Sequence, residues 1–232
     1  MEIVHVRKNA PLLPAELLRE VAKYSAATLH EAYERRGAMD CAIKPLSPGM
    51  KICAQAITVK THLGDNLMLH RALEMSDPGY VIVADTGMCT EAASWGDLMS
   101  AQAMANGAAG LVLNGSVRDA AEIRAMGFPV FSTGISMKGL MKDSLGTVNH
   151  PICCGGVTVC PGDIVVADDD GVVVIPPSEI EAVLAGAKAR QEREENILAR
   201  IRAGETMYDM MGFAAIFERL GCHDETKERS KS

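Results

Sequence analysis

Over residues 14–24, PAELLREVAKY, the apolar positions Leu17, Leu18, Val21 and Ala22 gather on one side of a helical wheel, behind a proline suited to a first turn. A second, shorter helix is expected after Ser25, ending at Gly37. The period then changes. Residues 51–62, KICAQAITVKTH, alternate and are rich in β-branched types, which predicts a strand. Short apolar runs at 80–85, 110–114 and 129–132 take turns with helical stretches at 66–75, 97–106 and 119–126. This βαβα rhythm implies an α/β layered domain with parallel strand pairs.

From residue 157 the spacing tightens. Strands are expected at 157–160, 163–167 and 172–175, joined by the turn signals Pro161-Gly162 and Asp170-Gly171, and forming a β-rich second sheet. After Pro176-Pro177, Ser178 can cap a long helix to about Arg202, with Gly204 just past its end. The expected organisation is one α/β domain over residues 1–203, its C-terminal helix at 178–203 included, and a tail over 204–232 with short helices, polar and frayed from 222.

Composition narrows the function classes. Aromatic residues are only 4% of the 232, so the core must be built from Ala, Val, Ile, Leu and the fourteen Met. The net charge of −7 argues against a nucleic-acid binder, which would carry a basic stripe. It does not oppose an anionic small-molecule substrate if positive charge is concentrated at the site. The first thirty residues are studded with charge and hold no apolar leader segment, and no run approaches the roughly 20 apolar residues that span a bilayer. A cytoplasmic protein that does not use a membrane is expected. Seven cysteines, an odd number with no C-x-x-C pair, are expected to be reduced and to serve as small core residues rather than as disulfides or zinc ligands.

Chemistry concentrates in residues 95–122, WGDLMSAQAMANGAAGLVLNGSVRDAAE. Two helix starts, Gly96-Asp97 and Arg118-Asp119, flank the strand at 110–114. Gly96 lets backbone approach a ligand, and the amides of Asp97, Leu98 and Met99 could grip a carboxylate at the positive end of the helix. Arg118 offers a planar two-pronged donor, and Asp119 a hard oxygen suited to Mg²⁺ or Mn²⁺. Twenty residues separate Asp97 from Arg118, enough for one helix and one strand, so both can reach one sheet edge. The same residues also read as caps: Asp119-x-x-Glu122 resembles a capping box, and Asp97 suits a helix dipole.

The string Gly96-Asp97-Leu98-Met99, then Arg118-Asp119 after that interval, resembles the D-x20-R-D signature of the 4-hydroxy-4-methyl-2-oxoglutarate/4-carboxy-4-hydroxy-2-oxoadipate aldolases. Their wider superfamily includes the regulator of ribonuclease E activity. The likeness extends through TLHEA at 28–32, GDNLMLH at 64–70, SLGTVNHPI at 144–152 and PGDIVVADDDGVVVIP at 161–176. It implies an αββα sandwich of the swivelling β/β/α type and homotrimers or homohexamers with interfacial active sites. It also implies metal-dependent release of pyruvate from a 4-hydroxy-2-oxo acid in aromatic-acid catabolism, with oxaloacetate decarboxylation as a side activity. In that scheme Arg118 polarises the keto oxygen, Asp119 ligates the metal, Asp97 holds water, and the amides of 96–99 take the pyruvyl carboxylate. Glu31 and Glu194, or its neighbour Glu195, would come from an adjoining subunit. The ribonuclease regulators lack the C-terminal extension this chain has. Met99 departs from the common G-D-L-L form, which matters little where only its N–H is used.

Other candidates are weighed on the same terms. Asn66 and His70, four apart on a predicted helix, share a face and could contact a distal carboxylate or form a structural polar cluster. Asp168-Asp169-Asp170-Gly171 lacks the glutamate of a calcium loop and reads as a hairpin turn. His30 reads as a core or interface residue, and Lys51 and Lys60 as strand-edge lysines rather than Schiff-base formers. A non-enzymatic regulator of ribonuclease E and a dedicated oxaloacetate decarboxylase stand as rival functions. A quinone methyltransferase would need a Gly-rich nucleotide loop that the sequence lacks.

Overall fold

The computed structural model describes residues 4–222. Helices α1 (Ala15–Val21) and α2 (Ala26–Ala32) precede strands β1 (Lys44–Pro45) and β2 (Ile52–Lys60). Then follow α3 (Leu67–Leu73), β3 (Tyr80–Trp95), α4 (Asp97–Asn106), β4 (Leu111–Val117), α5 (Ala120–Met126) and β5 (Val130–Ile135). Five short strands come next: β6 (Thr147–Val148), β7 (Ile152–Cys154), β8 (Val157–Val159), β9 (Ile164–Asp168) and β10 (Gly171–Ile175). A 3-10 turn at Pro177–Glu179 leads into α6 (Ile180–Arg202), and α7 (Met207–Met210) and α8 (Phe213–Arg219) complete the described chain. The fold is mixed α/β with a long C-terminal helix, as expected. The frayed end expected from 222 falls, beyond that residue, outside the described residues.

The central sheet runs β1-β5-β4-β3-β2-β9-β10, with β6 also on β2. Pairs β2–β3, β3–β4 and β4–β5 are parallel, as their helical crossovers require. The strands after residue 157 divide differently from the expectation of a second sheet. Only β7–β8 stands apart, while β9 pairs antiparallel with β2 and carries β10 with it. The reason lies in the side chains: a strand apolar at successive positions must be covered on both faces. Val165, Ala167, Val172 and Val174 join the core with β2–β5, whereas Ile164, Val166, Val173 and Ile175 pack with Val21, Leu29, Ile180 and Val183 of α1, α2 and α6.

Two boundaries also move. The second helix stops at Ala32 because Glu34, Arg35 and Gly37 adopt positive φ (56°, 60° and 75°), which ends a right-handed helix. Strand β3 continues ten residues beyond the predicted end at Asp85, to Trp95. Over that stretch β4 advances only three residues, from Asn114 to Val117, so β3 bulges repeatedly. The mixed run that follows Asp85, TGMCTEAASW, keeps no alternation and hides this extension from a hydrophobic-pattern reading.

By compactness the chain forms two units, Met1–Ala187 and Lys188–Ser232, which divide within α6. The first holds both cores. In the second, Tyr208 meets Phe213 and Phe217 at ring separations of 6.2 and 5.8 Å, and Leu198, Ile201, Ile216 and Leu220 are exposed. Among the described residues no helix is long and apolar enough to cross a membrane. None of the seven cysteines is paired. Cys154 is buried as expected, and burial pushes its thiol up to about 12, but Cys41, Cys153 and Cys222 are exposed and serve no core.

Candidate active site

Parallel strands β3 and β4 end side by side, with Trp95 opposite Val117 and the Arg118 N–H donating to the Trp95 carbonyl at 2.9 Å. That ladder rung brings Gly96-Asp97 against Arg118-Asp119. The turn is braced from below: Trp95 Nε1–H donates to Ser100 Oγ at 2.8 Å, and Ser100 Oγ–H donates to the Gly96 carbonyl at 3.1 Å.

Asp119 occupies the cap position of α5 with left-handed φ 54° and ψ 41°, yet its carboxylate makes no capping bond to that helix. Holding a non-glycine residue there costs on the order of 1 kcal/mol. The carboxylate turns instead toward α4, where Oδ2 accepts from the Asp97 N–H at 3.3 Å and lies 3.3 Å from Arg118 Nε. The capping reading of Asp119 therefore does not describe this geometry. Asp97 Oδ1 accepts from the Leu98 N–H at 2.7 Å, which leaves the Met99 N–H as the first-turn amide without a partner among the described residues. Gly96 is needed for room rather than for conformation. Its φ of −147° is ordinary, but a Cβ would sit 2.6 Å from Asp119 Oδ2 and 3.3 Å from Arg118 Nε.

In front of this turn lies a cavity of about 280 Å³. Gly96, Asp97, Leu98, Met99 and Arg118 line one part of it, and Asn66 and His70 from α3 another. Lys142 and Ser94 also face it, and the sequence reading singled out neither. Lys142 lies in a loop with no periodicity to mark it. Its only sequence-level signal is positive charge in a net acidic chain. Three of the buried polar atoms left without a partner belong to residues of this wall: Asn66 Oδ1, His70 Nε2 and Ser94 Oγ. Buried polar atoms are almost always satisfied, so three orphans behind one wall set it apart from the rest of the core. Burial, and secondarily the charge of Lys142, lower the pKa of His70, which favours the neutral imidazole.

Asp65 holds the Lys142 loop in place. Its side chain is 2% exposed and accepts from the backbone N–H groups of Leu67 (2.7 Å), Asp143 (2.7 Å) and Ser144 (3.0 Å). Burial pushes its carboxyl up, but those N–H donors together outweigh it, and the group stays below the ordinary carboxylate range. A depressed carboxyl contributes stability above its unfolded value near pH 4, and that contribution is lost as pH falls through the folded value. Asp65→Ala, which orphans three donors, is expected to cost roughly 2–4 kcal/mol at pH 7 by urea denaturation. The difference from the unaltered protein should shrink below about pH 4.

Other predicted residues lie elsewhere. Glu31, on α2, is within 3.2 Å of Arg35 Nε and is not part of the cavity wall. Glu194, on α6, is 2.8 Å from Arg190 Nε and belongs to the second compact unit. His30 bonds the Arg36 carbonyl through Nδ1. Asp168 accepts from the Ala26 N–H and Asp169 from the Gly49 N–H, each at 2.8 Å, so these aspartates tie a hairpin turn, as expected. The Lys60 ammonium is held by Asp85.

A divalent cation fits the donors that do converge. Among the described residues no group of three or more His, Cys, Asp or Glu comes together. An ion here would rest on Asp119, with Asp97 within reach of its water shell. A hard ion that retains several waters and takes one or two carboxylates is well matched to such a place. The room that Gly96 leaves beside Asp119 Oδ2 serves the same end.

Residues 26–174 match the family described as Aldolase/RraA. The chain belongs to the RraA-like family. Among RraA-like relatives, a Halalkalibacterium halodurans protein named "putative 4-hydroxy-4-methyl-2-oxoglutarate aldolase" is 42% identical over 179 residues, 77% of this chain and 82% of that one. Among solved structures, a protein from Pseudomonas syringae pv. tomato aligns with a TM-score of 0.78 at 28% identity, over 88% of this chain and 95% of that one. Streptomyces coelicolor RraAS2, described as an unusual member of the RNase ES inhibitor RraA protein family, aligns with a TM-score of 0.72 at 31% identity, over 82% and 98%. The RraA-like family thus holds proteins named as aldolases and proteins named as inhibitors, and the site chemistry bears on the choice.

Proposed function

We propose that the protein is a class II aldolase, working in the cytoplasm, that cleaves 4-hydroxy-2-oxo acids with extra carboxylates, such as 4-carboxy-4-hydroxy-2-oxoadipate or 4-hydroxy-4-methyl-2-oxoglutarate. The observation that carries this reading is the meeting of Arg118, the start of α4 and Asp97 at one cavity, with the Asp119 carboxylate 3.3 Å from the Arg118 guanidinium. An inhibitory protein surface has no need of a strained aspartate beside a cavity with unsatisfied polar atoms. The aldolase-named relative supports the same reading.

In this scheme the pyruvyl carboxylate lies on the Met99 N–H and the Arg118 guanidinium, which also faces the 2-keto oxygen. Asp97 Oδ2, free of the Leu98 bond, takes the C4 hydroxyl proton through a water. The O–H electrons become the new carbonyl of the leaving 2-oxo acid. The C3–C4 pair moves into the pyruvyl half, and Arg118 holds the negative charge that develops on its enolate oxygen. A proton returned to C3 gives pyruvate. A bound Mg²⁺ or Mn²⁺ would supply Lewis-acid polarisation of the keto and carboxylate oxygens. Glu31 and Glu194 are assigned to the site of an adjoining subunit in a homotrimer or homohexamer, as the family resemblance implies. The same enolate chemistry would decarboxylate oxaloacetate.

The test is pyruvate release from the two named substrates. EDTA is expected to lower the rate by about a hundredfold or more, because Lewis-acid stabilisation supplies several kcal/mol, and added Mg²⁺ or Mn²⁺ should restore it. The inhibitor description of the Streptomyces relative favours a second reading, a regulator that binds ribonuclease E. No release from either substrate by the intact oligomer with metal present, together with capture of ribonuclease E, would establish that reading instead. A kcat/KM much higher on oxaloacetate would point to a dedicated decarboxylase.

A further inference from the structure

The Gly96–Asp97 peptide is gripped at both ends. On its carbonyl side, Gly96 O accepts from the Ser100 N–H and from the Ser100 hydroxyl, each at 3.1 Å. On its amide side, the Asp97 N–H donates to Asp119 Oδ2 at 3.3 Å. The direction of the chain is fixed at its far end. An indole N–H can only donate, so Ser100 Oγ receives the Trp95 Nε1–H at 2.8 Å, and the hydroxyl hydrogen is left for Gly96. The run therefore goes from Trp95 to Ser100, from Ser100 to the Gly96 carbonyl, and across the peptide from the Asp97 N–H to Asp119. Each donor in such a run polarises the next.

The two ends differ in their surroundings. Trp95 is 1% exposed, and its ring stacks on Phe128 at a centroid separation of 6.4 Å and an interplanar angle of 10°. Ser100 is fully buried. Asp119, at the other end, is partly exposed, and among the described residues its Oδ2 has the Asp97 N–H and Arg118 Nε as partners. A serine inside a helix often bonds the carbonyl four residues back and does no more than satisfy its own hydroxyl. Here that carbonyl belongs to a glycine, which has no side chain to limit the rotation of its backbone. The brace supplies the restraint that the missing side chain does not.

We infer that Ser100 and Trp95 are positioning residues: through the Gly96–Asp97 peptide they aim its N–H at Asp119 and so orient that carboxylate for a divalent cation. This inference rests on the reading that Asp119 is the cation's protein ligand.

The experiment is calorimetric titration with Mn²⁺, paired with a melting curve. The unaltered protein, Ser100→Ala, Trp95→Phe, the variant carrying both changes, and Asp119→Ala are compared. Ser100→Ala is expected to weaken Mn²⁺ binding by about tenfold or more, as loss of the groups behind a metal ligand generally does. Trp95→Phe leaves the hydroxyl able to donate to Gly96 and should cost less. It also removes the indole N–H that Ser100→Ala strands, so the double variant tests the brace without a buried orphan. Because the two residues act in one chain, the double variant should match Ser100→Ala rather than multiply the two losses. Unchanged Mn²⁺ affinity in Ser100→Ala and in the double variant, whatever their melting temperatures, would overturn the inference, since the serine would then serve the fold alone. No Mn²⁺ binding by the unaltered protein, or an affinity untouched by Asp119→Ala, would instead remove the Asp119 reading, and this inference with it.

Discussion

Arg118→Ala is expected to lower kcat/KM for pyruvate release by about a thousandfold or more, with little change in thermal stability. The guanidinium is half-exposed at the cavity wall, and its one ion pair among the described residues is to the neighbouring Asp119 at 3.3 Å, so the fold loses little without it. Catalysis loses more. Removing a single preorganised donor from a developing oxyanion costs on the order of 10²–10³ in kcat, and Arg118 is assigned to the substrate carboxylate as well. Arg118→Lys keeps the charge but forfeits the planar fork, so it should recover only a small part. Steady-state assays on both named substrates, paired with a melting curve, check both halves of the expectation. Near-normal turnover by either variant would sink the aldolase assignment.

Gly96→Ala should produce the second largest effect, and it adds one methyl group. That methyl would lie 2.6 Å from Asp119 Oδ2 and 3.3 Å from Arg118 Nε, so the carboxylate, the guanidinium or the α4 start must move. A displacement near 1 Å at reacting groups is worth about a hundredfold in rate. Because Gly96 has an ordinary φ, alanine meets no backbone penalty and restricts the unfolded chain, so stability should stay within about 1 kcal/mol. The separation of the two readouts is the point. A loss of activity matched by a comparable loss of stability would mean that the glycine serves the fold and not the site.

These positions were legible in the sequence to different depths, for physical reasons. Helix α4 and strand β4 follow from the helical stretch at 97–106 and the apolar run at 110–114, and the interval from Asp97 to Arg118 is one helix plus one strand, so their convergence could be reasoned out. Spacing could not tell whether Asp119 caps its own helix or faces the neighbouring one. That turns on a left-handed backbone at a non-glycine residue, which no pattern announces. The extension of β3 to Trp95 was hidden because the strand leaves the core between Gly87 and Ala92, where its residues are exposed or half-buried and bulged, before Ala93, Ser94 and Trp95 return to it. Lys142 was hidden for a related reason: its position depends on Asp65, 77 residues earlier, and long-range anchors leave no local periodicity. The hairpin after residue 163 was read correctly as strands and misassigned as to sheet, because alternation is silent when both alternating sets are apolar.

That last feature bears on how the chain folds. A strand with one oily and one wet face rejects a one-residue slip, because slipping would carry its oily set into water. In β9 and β10 both faces are Val, Ile and Ala, so a slipped pairing would bury much the same chemistry and polarity alone cannot proofread it. The proofreading falls to the acidic turn: Asp168 on the Ala26 N–H, Asp169 on the Gly49 N–H, and Lys44 on the Asp170 carbonyl reach three separate segments only in the native alignment. The three aspartates that first suggested a calcium loop thus act as a vernier for the hairpin. Without them the chain would have two nearly degenerate ways to zip its last strands.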